Sequence, residues 1–241
     1  MLDKLVERMN WSQPFDKGTG PVKKGRGLGI AIKAVITPTT SVAITNVSAD
    51  GSVTLYCGTI DMGQGSDTAM AQMVGEILNV PAESVRVVPR DTDITPYDMG
   101  TLGSRSLFHM GHAVKRSAED ARDKLKELAK YVGEPEGSNI SVPELFQKRY
   151  GMQAGNVIGS ATYMPTYQPP NKDTGLSENV TPFWMIGGTG AEIEVDTETG
   201  HVRIVRLVNV VDCGTPINPK IVETQISGAD SRLRLLSCWR A

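Results

Sequence analysis

Residues 41–78, "SVAITNVSADGSVTLYCGTIDMGQGSDTAMAQMVGEIL", constrain the fold of this chain more than any other stretch. Two runs of alternating residues, "SVAITNV" and "SVTLYCG", flank Asp50-Gly51, which is a hairpin signal. Apolar Met70, Met73, Val74, Ile77 and Leu78 then recur at the spacing of one buried helical face. The period therefore changes from two to 3.6 across "DMGQGSD", where Gly63 and Gly65 flank Gln64. That order predicts a β-β-α unit, with Ser66 or Asp67 as the cap of its helix.

The second half repeats the plan. "GAEIEVDTETGHVRIVRLVNVVDCG" reads as a hairpin turned at "DTETG", with a long apolar second strand. Both halves end their strands in Asp-x-Gly, at Asp61-Met62-Gly63 and Asp212-Cys213-Gly214, and a glutamine follows each, Gln64 at once and Gln225 further on. The predicted fold class is α+β, with two related β-β-α units whose mixed sheets are covered by helices. The halves span residues 1–132 and 157–228, joined by a connection over 133–156 that opens on "GEPEGSNISVP". Leu2, Leu5, Val6 and Met9 mark a short opening helix, and "KGTGPVKKGRGLG" reads as a loop before a strand-like run over 28–36. "ESVRVVP" is a short strand, and a long helix follows "GSRS" to about Tyr131. A short helix near 142–150 leads into a loop rich in Pro and Tyr through residue 175.

The chain of 241 residues is long enough for a sizeable core. Its 25 basic and 27 acidic residues leave a net charge of −2, no footprint for nucleic acid or an anionic membrane. Residues 1–15 hold Asp3 and Glu7 without an apolar signal core, and no apolar run reaches the length of a span, so the expectation is a soluble, cytoplasmic protein. Cys57, Cys213 and Cys238 show no C-x-x-C spacing, which argues for free thiols and against a zinc or iron–sulfur site in this chain. His109 and His112 could share a helical face but lack a third ligand nearby, and the solvated reading is preferred. "GRGLG" precedes a strand instead of following one, so it is no dinucleotide fingerprint, and an NAD-dependent dehydrogenase is poorly supported.

Glycine at 63 and 65 allows positive φ and lets a ligand approach bare backbone. The helix beyond presents unpaired N–H groups and a partial positive charge, a setting for an anion. A tight turn needing no ligand is the plainer reading. "MGTLGSRS", residues 99–106, repeats the logic, with Gly100 and Gly103 ahead of Ser104, Arg105 and Ser106. Arginine can grip a phosphate in bidentate fashion. The plainer alternative makes Ser104 a cap and Arg105 a surface charge. Two such loops in one domain favour one shared polyanionic ligand.

Residues 61–106, from "DMGQG" through "VPAESVRVV" and "DTDITPYDMG" to "TLGSRS", closely resemble the molybdenum-cofactor-binding large subunit of the molybdenum hydroxylases. That family includes xanthine dehydrogenases, aldehyde oxidoreductases and 4-hydroxybenzoyl-CoA reductases. "EIEVDTETGHVRIVRLVNVVDCGTPINPKIVETQ" resembles its later segment, so the likeness covers roughly residues 1 to 228. The resemblance implies a molybdopterin cofactor, in some members extended by a cytosine dinucleotide, with iron–sulfur clusters and FAD on partner chains. Gly63, Gln64, Gly65 and Ser66 match the first cofactor loop, Gly103, Ser104, Arg105 and Ser106 the second, and Gln225 the third. It implies no metal ligand among this chain's side chains, and partners that are other hydroxylase subunits or the remaining parts of the large subunit.

The chain also departs from the family. Its large subunits are several times longer, and their general base, a glutamate in a G-V-G-E-type motif, has no counterpart here. "YVGEPEG" at 131–137 is superficially similar, but Glu134 reads as a solvated loop residue. Thr224 stands where the family has glycine, and residues 229–241, "ADSRLRLLSCWRA", read as an atypical, truncated or out-of-frame tail. The function expected is the cofactor-binding portion of an oxidoreductase acting on aldehydes, aromatic N-heterocycles or aromatic acyl-CoA, inactive as a single chain. The alternative is a non-catalytic or degenerate cofactor- or nucleotide-binding fragment.

Overall fold

A computed structural model describes residues 1–35 and 38–238. Two compact units emerge, one formed by Val35–Pro182 and the other by Met1–Ala34 with the segment from Phe183 onward.

In the Val35–Pro182 unit, β2 (Ser41–Ser48) and β3 (Val53–Cys57) form the expected hairpin, in register from Ala43↔Cys57 to Val47↔Val53. Asp50 Oδ1 accepts from Ser52 N at 2.9 Å, and Gly51 takes φ +87°. The alternation buries Ala43, Val47, Val53, Leu55 and Cys57 on one side. The four-stranded sheet has the order β4-β3-β2-β5, mixed because β4 (Val85–Val87) runs parallel to β3. Helix α2 (Ser66–Leu78) and the long α3 (Gly111–Tyr131) cover it, with Met70, Val74, Met110, Val114 and Ala118 in the core. Helix α4 (Val142–Tyr150) starts at a capping box between Ser141 and Glu144.

Strand β5 (Asn156–Tyr163) lies inside the segment expected to be a loop, and this is a correction. It pairs antiparallel with β2 from Ser41↔Tyr163 to Ser48↔Asn156. Its sequence carries little apolar alternation because its packing depends on a missing side chain. A Cβ at Gly159 would lie 2.0 Å from Ser117 O and 2.5 Å from Ala121 N, so α3 rests on bare backbone.

The other unit is an antiparallel sheet of order β1-β6-β7, with α1 (Leu2–Arg8) and α5 (Pro219–Cys238). Strands β6 (Trp184–Asp196) and β7 (Val202–Val211) turn at "DTETG" as expected, where Asp196 Oδ1 accepts from Glu198 N and Thr199 N. Strand β1 covers Val22–Ala34, so residues 22–27, read as loop, are strand. Thirteen pairs with β6, from Val22↔Asp196 to Ala34↔Trp184, override the weak local propensity of "VKKGRG". Arg26 anchors this part, lying over the rings of Trp11 and Phe15 and donating to Asn10 O, Trp11 O and Gln13 O. The backbone of α5 continues as helix through the tail to Cys238.

Each unit thus contains a hairpin, an Asp-x-Gly turn and a helix. Gly63 N donates to Asp61 Oδ1 at 2.8 Å and Gly214 N to Asp212 Oδ1 at 3.0 Å, with φ of +98° and +60°.

Candidate functional site: two stitched glycine loops

The first loop runs from Gly58 to Ser66. Its glycines earn their place by conformation: Gly63 and Gly65 have φ of +98° and +76°, and Gly65 is the residue before the first turn of α2. The cap differs from the expectation. Neither Ser66 nor Asp67 caps α2 with its side chain, because both lie inside the helix. Asp61 does so from five residues before the helix starts: one carboxylate oxygen accepts from Gly63 N and Gly65 N at 2.8 and 3.3 Å, the other from Asp67 N at 3.0 Å. Burial draws the Asp61 carboxyl upward, but these N–H bonds and the Arg90 charge outweigh it and leave it below its ordinary value.

Gln64 is folded back over the same turn. Its amide donates to Ile60 O at 2.8 Å and to Ser66 Oγ at 3.1 Å and accepts from Met62 N. Arg90 braces the loop from below, donating to Thr59 O and to both oxygens of the Asp67 carboxylate. Beside it, burial pushes the Cys57 thiol up to about 11, which keeps it an inert core residue.

The second loop, residues 98–106, is stitched to the first. Thr101 Oγ1 accepts from Ile60 N at 2.7 Å, donates to Ile60 O at 3.1 Å and lies 3.2 Å from Thr59 Oγ1. A Cβ at Gly58 would sit 2.7 Å from Asp98 Cβ, so that glycine permits the close approach. The structure therefore joins the loop that carries Gly63, Gln64, Gly65 and Ser66 to the loop that carries Gly103, Ser104, Arg105 and Ser106 through one threonine, which meets the first loop at Thr59 and Ile60. Gly103 and Ser104 both adopt left-handed φ, +60° and +62°, and Ser104 is exposed. For a serine that conformation is strained. Ser106 opens a π-helical turn, Ser106–Met110, ahead of α3.

Arg105 is neither the phosphate clamp nor the surface charge that the sequence suggested. Its side chain is fully buried and forms an ion pair with Asp98, itself 1% exposed, at 2.6 Å. Nε donates to Thr39 Oγ1, Nη1 to Asp98 Oδ1 and Gly100 O, and Nη2 to Thr40 O and Ser41 Oγ. All five guanidinium protons are thus used inside the protein. Asp98 completes the knot by accepting from Ser41 Oγ at 2.6 Å and Gly100 N at 3.1 Å.

Three further readings are corrected. His109 is buried, not solvated, within the π-helical turn that opens α3. Among the described residues neither of its ring nitrogens has a hydrogen-bond partner, and burial with the nearby Arg105 charge lowers its pKa to about 4. His112 stacks on Tyr163 and donates from Nδ1 to Phe108 O at 2.6 Å. Glu134 is not simply solvated: it pairs with Lys148, accepts from Ser138 Oγ at 2.7 Å and is held below its usual range chiefly by the Lys148 bond. Gln225 is exposed on α5, in the other compact unit. Of the cysteines, Cys57 and Cys213 are free, and Cys238 lies where side chains are not described.

The family model of the molybdopterin cofactor-binding domain matches residues 4–230. The chain belongs to that family. The domain is 31% identical over 196 residues to the nicotine 6-hydroxylase large subunit of Paenarthrobacter nicotinovorans, covering 77% of this chain and 24% of that protein. It is 31% identical over 188 residues to the carbon monoxide dehydrogenase large chain of Hydrogenophaga pseudoflava, with 74% and 23% covered. Its fold is that of a segment of the aldehyde oxidoreductase from Desulfovibrio gigas, with a TM-score of 0.71 at 24% identity, over 94% of this chain and 24% of that one. The domain spans about a quarter of the length of these relatives. It is a molybdopterin-binding domain of the molybdenum hydroxylases, and no helix among the described residues is long and apolar enough to cross a membrane.

Proposed function

We propose that the stitched loops form one face of the seat for the molybdopterin cofactor of a molybdenum-dependent oxidoreductase. The observation that carries this is the Thr101 link, which joins the two sequence-matched cofactor loops into one surface. The available groups suit a ligand rich in hydrogen-bond donors and acceptors. Gln64 offers an amide, Ser104 is held exposed on a strained backbone, Ser106 adds a second hydroxyl, and a Cβ at Gly63 would meet nothing within 4 Å. Gln225, matched to the family's third cofactor loop, is a further contact with the cofactor.

When bound, the cofactor supplies the metal centre at which substrate is oxidised or reduced. The chain's own residues bind and orient it: Gln64 exchanges its internal hydrogen bonds for ligand atoms, the glycines keep the backbone low enough for close approach, and Arg105 with Asp98 fixes the second loop from behind. Nothing in these loops sets the substrate. The similar proteins are named for an N-heterocycle, carbon monoxide and aldehydes, so substrate choice belongs to parts of the subunit beyond this segment. We assign the chain to a cytoplasmic enzyme whose molybdopterin is bound with or without a cytosine dinucleotide extension, whose partners are other hydroxylase subunits or the remaining parts of the large subunit, and whose iron–sulfur and FAD centres lie on other chains.

The chain by itself should not turn over substrate. Hydroxylation needs a placed base, and the glutamate in the most similar setting, Glu134, is committed to Lys148. The test is to purify the chain alone and after co-expression with the chains that complete the subunit. Molybdenum and pterin retained only in the completed subunit, with turnover of an aldehyde or heterocycle there alone, is the expected result. A completed, folded subunit that retains neither would contradict the proposal.

A further inference from the structure

His109 is a buried titratable group that the cofactor seat does not use. It lies in the π-helical turn Ser106–Met110, directly after the second loop. The residue is 0% exposed, and neither ring nitrogen has a hydrogen-bond partner among the described residues. Aromatic rings flank it, Phe108 edge-on at 5.3 Å and Tyr163 at 6.3 Å between centroids. A buried polar ring left unpaired costs stability and calls for a reason.

The surroundings of this ring accept its neutral form and not its charged one. The charges that face it are Arg105 and Asp98 of the second loop, with His112 on α3 and Tyr163 on β5 as further titratable neighbours. Arg116 of α3 lies over the Tyr163 ring at 4.9 Å. Helix α2 and strand β2 also pack against this turn, and among the described residues neither buries a charged side chain. A guanidinium has no lone pair to offer a ring proton. Both oxygens of Asp98 are already bonded, to Arg105, Ser41 and Gly100. The Arg105 carbonyl already accepts from His109 N at 2.7 Å. A proton added to the ring would therefore be buried beside a like charge without an acceptor of its own. Burial, and then the Arg105 charge, lower the pKa from its ordinary 6.5 to about 4.

We propose that His109 is an acid-sensitive latch for the second loop: residues 98–110 keep their shape only while the ring is neutral, and a proton on the ring opens them to water. Above about pH 6.5 neither the closed nor the open segment carries that proton. Between that value and about 4 the open segment binds it and the closed one does not, so closure weakens by up to about tenfold per pH unit and then levels off. That opening also loosens the cofactor rests on the cofactor-seat reading above. The acid opening itself does not, because it is read on the chain without cofactor.

The experiment follows amide hydrogen exchange of the full chain and of His109→Phe, compared at the same pH. At pH 7 the two should protect residues 98–110 alike. At about pH 4.5 the wild type should lose up to about 100-fold in protection there relative to the variant, while the β2–β3 hairpin stays equally protected in both. A wild-type-to-variant ratio that does not change with pH would overturn the proposal, and so would an acid loss that reaches the hairpin equally, since global unfolding would then be the event. His109→Leu, which also cannot titrate, replaces His109→Phe if that variant does not fold. The imidazole signals of the wild type give a check that needs no variant. The His109 ring should remain neutral wherever the loop amides remain protected, and a ring that takes its proton near pH 6.5 with those amides still protected would refute the latch. Failure of the cofactor-seat reading would appear separately, as a completed subunit without molybdenum or pterin.

Discussion

The two glycine loops read alike in sequence, a pair of glycines ahead of a helix, yet they are held by opposite means. The first is braced at the surface: Asp61 sits half-buried over the start of α2, Gln64 curls back on Ile60, and Arg90 and Asp67 close the base. The second is tied from the inside by a buried ion pair, with partners on the segment leading into β2 and on β2 itself. A buried pair is expensive to break and confers a single geometry when every proton is satisfied. An exposed cap is cheaper to open and can exchange partners with a ligand. The contrast assigns different jobs: the second loop is a fixed wall, and the first is the part that can rearrange. Thr101 makes the position of one depend on the other.

The largest effect should follow from breaking the wall. Arg105→Met leaves Asp98 as an uncompensated buried charge and should cost roughly 3–5 kcal/mol of unfolding free energy, read from denaturant midpoints. Adding Asp98→Leu should restore part of that loss, because an apolar pair replaces a stranded charge. A cost under about 1 kcal/mol for the single variant would mean the pair is not what fixes the loop.

A smaller effect is expected at the surface loop. Asp61→Ala removes a cap and should cost about 1–2 kcal/mol. The pH dependence follows from the depressed Asp61 pKa. A carboxylate with a folded pKa below its unfolded value contributes stability above the unfolded value, near 3.9, and loses it as pH falls through the folded value. The gap between wild type and variant should therefore be flat above about pH 5 and shrink on acidification below about pH 4. Asp212→Ala is the control from the other unit. That aspartate makes the same turn to Gly214, but α5 starts at Pro219 and Asn218 accepts from Ile221 N, so Asp212 caps nothing. Its removal should produce the smallest change.

How the chain is wired was only partly visible in its sequence. The β2–β3 hairpin, α2, α3 and the β6–β7 hairpin were legible because each carries its own period or turn signal. Strand β5 was not, since Gly159 serves α3 and not a side-chain pattern. Arg105 in "GSRS" looked solvent-facing because Thr39, Thr40 and Ser41, which bury it, lie 64 to 66 residues away. Asp61 could have been found as the cap: Asp-x-Gly marks a turn in which the carboxylate faces following N–H groups, and a helix starting five residues later at Ser66 is within its reach. His109 was read as solvated for want of a third ligand nearby, a criterion that says nothing about burial in the π-helical turn.

Cofactor content of the completed large subunit carrying Gly65→Val tests most directly whether the first loop is part of the cofactor seat. Gly65 holds φ +76°, which a β-branched residue adopts only under strain, and its position before α2 places the new side chain in the loop. Gly137→Val in the connecting segment, at φ +81° with nothing within 4 Å of its Cβ, imposes a comparable strain away from the loops. The account predicts that Gly65→Val yields folded subunit with molybdenum and pterin at background, while Gly137→Val keeps wild-type content. Wild-type content in Gly65→Val, or equal loss in both, would contradict it, and the glycines of the first loop would then serve only the turn.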